Sequence, residues 1–297
     1  LCACFKPFLY TDIGLRNFNA FVDRGFTTLQ AHPSGRFQRK LARMAFETLG
    51  DAWAGFGMGQ MAYPHWLALQ VKAPYVFYSE NGEAQYSGDP AVFNLKGMQS
   101  SEWSQRYHKG RTIDDLLQFG LEHGYFTPED FTEFDLQWYR PPAPEKLAEA
   151  GVQMRWMSYF RYYDPMEAYY CASQNTGFTA NPERSEGTYT KYASLDDKTD
   201  GFHYYMAFIK FGIARATSDA AHEIRDGQVT RDEGVALVHR YDGEFPKRYF
   251  SEFLDYLGIS EEHFWDVLDA WRPPHLWSKD QNGEWQLKHR VSDLEAS

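Results

Sequence analysis

The sequence predicts an α/β protein with a parallel sheet in its first part and a helical C-terminal region. Three observations predict it. Short apolar runs bounded by turn residues alternate with helical periodicity over roughly the first 80 residues. The stretch Val152 to Tyr159 reads as a returning strand. From Phe202 onward helical patterning dominates until Pro273-Pro274. Strands alternating with helices imply right-handed βαβ units, which place ligand sites at the carboxyl ends of the strands. The positions of interest are therefore those that follow Phe5, Ala31 and Tyr78.

Taken in order, Leu1 to Phe5 is a strand closed by Lys6 and Pro7, and Thr11-Asp12 opens a helix that runs through Phe18, Phe21 and Val22 to Gly25. Phe26 to Ala31 is the second strand. Phe37, Leu41, Met44, Ala45 and Leu49 recur at offsets 4, 7, 8 and 12, one face of an amphipathic helix. Gly55, Gly57 and Gly59 read as a break ahead of another helix that ends near Lys72. Pro74 then opens Tyr75-Val76-Phe77-Tyr78, a bare apolar run of the kind found in buried parallel strands. The mixed, helical stretch from about Asp89 to Pro144 reads as an insertion, with Thr127 as an N-cap and Pro128 at the first helical position. Residues 175–199 are polar yet rich in Tyr and Thr, which fits an ordered loop better than a linker. Helical segments follow from Phe202 to Ile224, after the capping box Thr230-x-x-Glu233, and after Ser260, where Ile259 and Phe264 are placed as a hydrophobic staple. The expected divisions are 1–88 (α/β domain), 89–150 (helical insertion), 151–225 (return strand, substrate loop and nucleotide-contacting helix) and 226–297 (C-terminal helical region).

Composition narrows the function classes. Of 297 residues, 43% are hydrophobic and 24% charged, and 41 acids against 30 Lys and Arg give a formal charge of -11, as expected for a soluble globular protein. That balance argues against a surface built for nucleic-acid phosphates. No apolar window is long enough to span a membrane, and no basic n-region with an apolar core opens the chain, so membrane insertion and secretion are not expected. Cys2, Cys4 and Cys171 form neither a disulfide framework nor a zinc site, which suits a cytoplasmic setting. The chain starts at Leu1 inside a strand, and residues upstream of it are expected.

Three constellations could carry chemistry. Ser79-Glu80-Asn81-Gly82-Glu83 follows the strand ending at Tyr78, where two carboxylates and an amide could hold magnesium or orient a polar substrate. It also reads as a polar loop with a turn glycine. In Lys210-Phe211-Gly212-Ile213-Ala214-Arg215-Ala216-Thr217, two cations flank a glycine in an otherwise apolar helix, a pairing suited to a polyphosphate. Their side chains could equally snorkel to solvent. The tract from Glu186-Gly187-Thr188-Tyr189-Thr190 to Asp196-Asp197-Lys198-Thr199-Asp200 combines hydroxyls, rings and carboxylates suited to a sugar. The aspartates would serve as well in the first turn of the next helix. His65, His203, His222 and His275 form no H-x-x-H or H-E-x-x-H pair, and no G-x-S-x-G, G-x-G-x-x-G or Walker A sequence is present.

The runs Leu1-Cys2-Ala3-Cys4-Phe5-Lys6-Pro7, Thr11-Asp12-Ile13-Gly14-Leu15-Arg16-Asn17 and Tyr78-Ser79-Glu80-Asn81-Gly82-Glu83 with Tyr86 and Gly88 resemble the N-acetyl sugar amidotransferase family. So do Glu186 to Thr190, Ser194 to Lys198, Gly201-Phe202-His203-Tyr204-Tyr205, and the stretch from Lys210 through Tyr241-Asp242-Gly243-Glu244-Phe245-Pro246 to Trp285. The likeness spans nearly the whole chain. It implies a PP-loop ATP pyrophosphatase with an adenine nucleotide α-hydrolase-like parallel sheet, here without its N-terminal segment. The activity it implies converts an acetamido group of a nucleotide-activated or nonulosonic sugar, such as pseudaminic acid, into an acetamidino group in LPS O-antigen or flagellin glycan biosynthesis. ATP would adenylate the amide oxygen, releasing pyrophosphate, and ammonia would displace AMP. The implied cofactors are ATP and Mg2+, and the implied partners are a glutaminase subunit and a cyclase-like ammonia-channel subunit.

Residue by residue, the resemblance assigns Glu80, Asn81 and Glu83 to catalysis, with magnesium, pyrophosphate or substrate positioning as their work. It assigns Lys210, Arg215 and Thr217 to ATP phosphate binding and Glu186, Thr188 and Tyr189 to the sugar. The family's PP-loop would precede Leu1, the cysteine pairs of its zinc knuckle are not in this sequence, and Ser79 stands where glycine is expected. Two alternatives remain open: a non-catalytic scaffold of the same fold, and another PP-loop ligase such as a tRNA-modifying enzyme.

Overall fold

A computed structural model describes residues 1–79, 81–85 and 90–291, and for Glu83 and Gln85 the backbone alone. In chain order the first elements are β1 (Cys2–Phe5), α1 (Asp12–Asp23), β2 (Thr28–Ala31), α2 (Gly35–Leu49), α3 (Ala54–Val71), β3 (Tyr75–Tyr78) and α4 (Gly82–Gln85). There follow α5 (Trp103–Arg106), α6 (Ile113–Glu122), α7 (Glu133–Leu136), α8 (Pro144–Glu149), β4 (Gln153–Trp156), α9 (Met157–Phe160) and α10 (Pro165–Asn175). The last are α11 (Asp200–Phe211), α12 (Arg215–Arg225), α13 (Arg231–Tyr241), α14 (Phe250–Leu257), α15 (Glu261–Ala270), β5 (Trp277–Lys279) and β6 (Trp285–Leu287). Among the described residues no helix is long and apolar enough to cross a membrane.

The chain forms two compact units. The first comprises Leu1–Pro7, Gly25–Ala45 and Ala52–Tyr163; the second takes Phe8–Arg24, Phe46–Asp51 and the chain from Asp164 onward. This partition follows long-range pairing rather than the sequence divisions at 88, 150 and 225. The backbone N–H groups of Phe8 and Leu9 donate to the buried Asp197 carboxylate, and the Thr11 hydroxyl donates to Leu195 O. Those bonds tie an N-terminal segment into the second unit.

In the first unit β1 pairs with β2 in parallel, Cys2 opposite Thr28, and β3 pairs with β4 in parallel, Tyr75 opposite Gln153. The described strands thus form two two-stranded parallel ribbons. The return strand is shorter than the expected 152–159, because the chain turns into α9 directly after Trp156. Helix α3 lies against both β1 and β3. It begins at Ala54 and runs through Gly55, Gly57 and Gly59, which had read as a break before it. At two of the three, close packing overrides poor helix propensity: a Cβ on Gly55 would stand 2.7 Å from Cγ of Leu41, and one on Gly59 2.6 and 2.7 Å from two ring carbons of Phe5. A second cluster of Met61, Val92, Met98, Trp103, Met154 and Trp156 fills the space beside β4. The Thr127-Pro128 start yields only a 3-10 turn, Pro128–Asp130, whose Asp130 caps Thr127 N–H and also pairs with Arg36 at 2.6 Å and Lys40 at 2.5 Å.

The second unit is helical. Its centre is an aromatic nest in which Phe202 of α11 stacks on Phe253 of α14 at 4.1 Å, and Phe46 stacks on Phe264 of α15 at 5.6 Å. The helix expected from Phe202 to Ile224 is broken in two. Gly212 adopts φ +74°, caps α11 through Phe208 O, and α12 restarts at Arg215. Gly212 is therefore a terminus rather than a helix interior, and Lys210 and Arg215 belong to different helices. The capping box at Thr230 and Glu233 and the N-cap at Ser260 form as the sequence indicates. Residues 176–199 hold neither helix nor strand, yet are pinned by hydrogen bonds such as Thr179 N to Asn17 Oδ1 and Ser185 Oγ to Ala193 O. Beyond Pro273-Pro274, where no element was expected, β5 and β6 form an antiparallel hairpin.

Candidate functional site

At the carboxyl end of β3, Asn81 is buried at 1% exposure. Its backbone N–H donates to Ser158 Oγ and its side-chain Nδ2 donates to Val92 O at 3.0 Å, so the amide anchors the turn at Pro90–Val92. Glu80 lies outside the described residues, as does the side chain of Glu83. The preceding Tyr78 hydroxyl donates to Gln60 O and Met61 O of α3, and burial, aided by Tyr107, pushes its ionisation well up.

In the second unit the Lys210 ammonium donates to Leu49 O at 2.8 Å and lies 5.2 Å from the ring centre of Trp271. Arg215 opens α12, where its Nε donates to Asp219 and its Nη1 donates to the Tyr204 hydroxyl at 2.6 Å. The Thr217 hydroxyl donates to Asp242 Oδ2 at 2.7 Å, and the N–H groups of Ala214 and Thr217 reach the same carboxylate. Asp242 thereby fills the position that a helix N-terminus offers to an anion. Burial pushes its acidity down and its pKa up, against the hydrogen bonds from Thr217 and Ala214.

Thr188 and Arg215 come together through Asp219, whose Oδ2 accepts from the Thr188 hydroxyl at 2.6 Å. Tyr189, next in sequence, donates to Glu223 on α12 at 2.9 Å; burial and that partner both raise the phenol's pKa. Glu186 sits apart. Its carboxylate accepts from the backbone N–H groups of Lys247 and Arg248 and lines a hollow of only about 40 Å³. The 184–190 loop is further clamped by Arg184, which makes a two-pronged contact with Glu244 at 2.6 and 2.8 Å.

The same unit contains a cavity of about 500 Å³, a size typical of small-molecule sites. Sequence reasoning missed it. Tyr205 and Phe208 of α11, Trp265 of α15, and Trp277 and Trp285 of the hairpin wall it, together with Arg272, Asp269, Asp242 and Glu284. Arg272 organises this wall. Its side chain is 7% exposed, its Nε donates to Asp269 at 3.1 Å, and its guanidinium lies 4.5 Å from the Trp277 ring centre and 5.4 Å from that of Trp285. Trp277 donates its indole N–H to Ile209 O, while that of Trp285 is buried with no acceptor among the described residues. The only signal in the sequence is the density of tryptophans after Phe264, at 265, 271, 277 and 285. Among the described residues no cluster of three or more His, Cys, Asp or Glu side chains is arranged to hold a metal ion.

No curated protein matches the chain. Residues 186–292 match the family model described as LPS biosynthesis protein WbpG-like, C-terminal domain, a span that includes Glu186, Thr188, Tyr189, Lys210, Arg215, Thr217 and every wall of the cavity, and the match supports a place in LPS biosynthesis.

Proposed function

We propose that the chain is an ATP-dependent amidotransferase of LPS biosynthesis, which turns the acetamido group of a nucleotide-activated or nonulosonic sugar into an acetamidino group with ammonia from a partner glutaminase. The observation that carries this reading is the WbpG-like match over residues 186–292, in the region where the amidotransferase-like motif runs are longest. An amide carbonyl is a weak electrophile until its oxygen is made a leaving group, so the reaction class needs a phosphoryl donor and cations to match its charge. The described groups do not fit a polyphosphate as they stand. Lys210 is held by Leu49 O, Arg215 by Asp219 and Tyr204, and Thr217 by a carboxylate that would repel phosphate.

That arrangement favours a second reading, a non-catalytic sugar-binding or scaffold protein of the same biosynthesis. One experiment separates the two: pyrophosphate release from ATP by the protein with an ammonium salt and a panel of UDP- and CMP-linked N-acetyl sugars. Release that requires both sugar and ammonia supports the amidotransferase. Absence of release, with retained binding to a glutaminase partner, supports the scaffold.

A further inference from the structure

We infer that Cys2 and Cys4 form a two-sulfur site for a soft, thiophilic metal ion such as Cu(I), a reading independent of both the amidotransferase and the scaffold. The two residues occupy alternate positions of β1, so their side chains leave the strand on one face, with Ala3 and Phe5 on the other. The parallel register sets them beside Thr28 and Gln30 of β2, both uncharged. Neither thiol is in a disulfide and both residues are half-buried, so an ion can reach them at a place partly shielded from water. Burial, and after it the nearness of Cys2, pushes the Cys4 thiol up, which places the two sulfurs within each other's field.

Spacing decides what the pair can hold. Residues two apart on a strand are separated by about 6.6 Å, whereas a disulfide needs Cβ atoms about 3.5 to 4.5 Å apart. A bridge between Cys2 and Cys4 would therefore bend β1 out of its register with β2. A metal ion relaxes that demand, because two metal–sulfur bonds of about 2.3 Å let the sulfurs stay about 4.6 Å apart on an unbent strand. Ligand count then selects the metal. Among the described residues no group of three or more His, Cys, Asp or Glu side chains is arranged to hold an ion, so protein groups do not complete a four-coordinate zinc site here. Cu(I) prefers thiolates and is satisfied by two of them in a line.

The test is titration of the reduced protein with Cu(I), without oxygen and against the coloured chelator bicinchoninate. One equivalent of Cu(I) per chain is expected to be withheld from the chelator. Cys2→Ser and Cys4→Ser each remove one of the two ligands and are expected to weaken retention by about a hundredfold. Cys171→Ser serves as the control: that cysteine is exposed on α10 in the second unit, and its loss is expected to leave retention unchanged. Alkylation of the unaltered protein, mapped by mass spectrometry, needs no variant to fold. Bound Cu(I) is expected to protect Cys2 and Cys4 from iodoacetamide and to leave Cys171 open, while Zn2+ protects none of the three. Complete transfer of Cu(I) to the chelator, one ion shared between two chains, protection of Cys171 alone, equal protection by Zn2+, or full retention in both Cys2→Ser and Cys4→Ser would overturn the inference.

Discussion

Helix α3 contains a test in which one substitution type is expected to act with opposite signs two residues apart. Replacing a helical glycine by alanine gains up to about 1 kcal/mol from propensity and from the restricted unfolded chain. At Gly57 a Cβ meets nothing within 4 Å, so Gly57→Ala should stabilise by about 0.5 to 1 kcal/mol. At Gly59 the Cβ would stand 2.6 and 2.7 Å from ring carbons of Phe5, well inside van der Waals contact. Phe5 is 7% exposed and is itself held edge-on by Phe56 and Tyr139 at 5.6 Å, so it has little room to retreat. Overpacking of this kind costs about 1 to 3 kcal/mol, which exceeds the propensity gain and leaves Gly59→Ala destabilised by about 1 to 2 kcal/mol. Urea unfolding with unchanged slope should therefore separate the two midpoints by about 1 M. Phe5→Leu combined with Gly59→Ala should recover part of the loss as a favourable coupling. Equal stabilisation by both alanines would refute the packing account of the glycine run.

Removing the carboxylate that caps α12, Asp242→Ala, should cost about 1 to 2 kcal/mol and raise hydrogen exchange at Ala214 and Thr217, since both N–H groups lose their acceptor. Asp130→Ala breaks the contacts to Arg36 and Lys40 and the turn cap at Thr127, and should cost about 2 to 3 kcal/mol, measured as a lowered urea midpoint. His203 supplies a pH dependence. Burial lowers its pKa, but Asp51 at 2.9 Å outweighs that and raises it above 6.5 overall. A raised histidine stabilises the fold fully below its unfolded pKa and loses that contribution as pH rises through the folded value. Stability should then fall as pH rises from about 6.5 through the raised folded value, and the slope should flatten in Asp51→Asn.

Much of the fold was legible because local signals agreed with the tertiary outcome. The Phe37 to Leu49 face, the Thr230 capping box and the Ser260 N-cap each rest on signals within a few residues; the strand at Tyr75 forms as expected but is only half buried, with Tyr75 and Phe77 exposed. The failures have separate physical causes. Gly55 and Gly59 stay helical because Leu41 and Phe5, distant in sequence, press against them. Gly212 ends a helix where apolar periodicity ran on, because left-handed backbone geometry outranks pattern at a cap. The hairpin of β5 and β6 has strands of only three residues, too short to show alternation.

The candidate site divides along the same line. Lys210, Arg215 and Thr217 stand out in sequence as polar residues among apolar ones, but polarity alone does not say whether a group faces a ligand or an internal partner. Here Leu49 O, Asp219 and Asp242 occupy them. The cavity shows the inverse. Its walls come from four separate stretches, around Tyr205, Val238, Trp265 and Trp285, and each tryptophan alone is indistinguishable from core. What distinguishes them is a combination visible only in space: a buried guanidinium stacked on two indoles and paired with one aspartate, at the wall of an open volume of about 500 Å³.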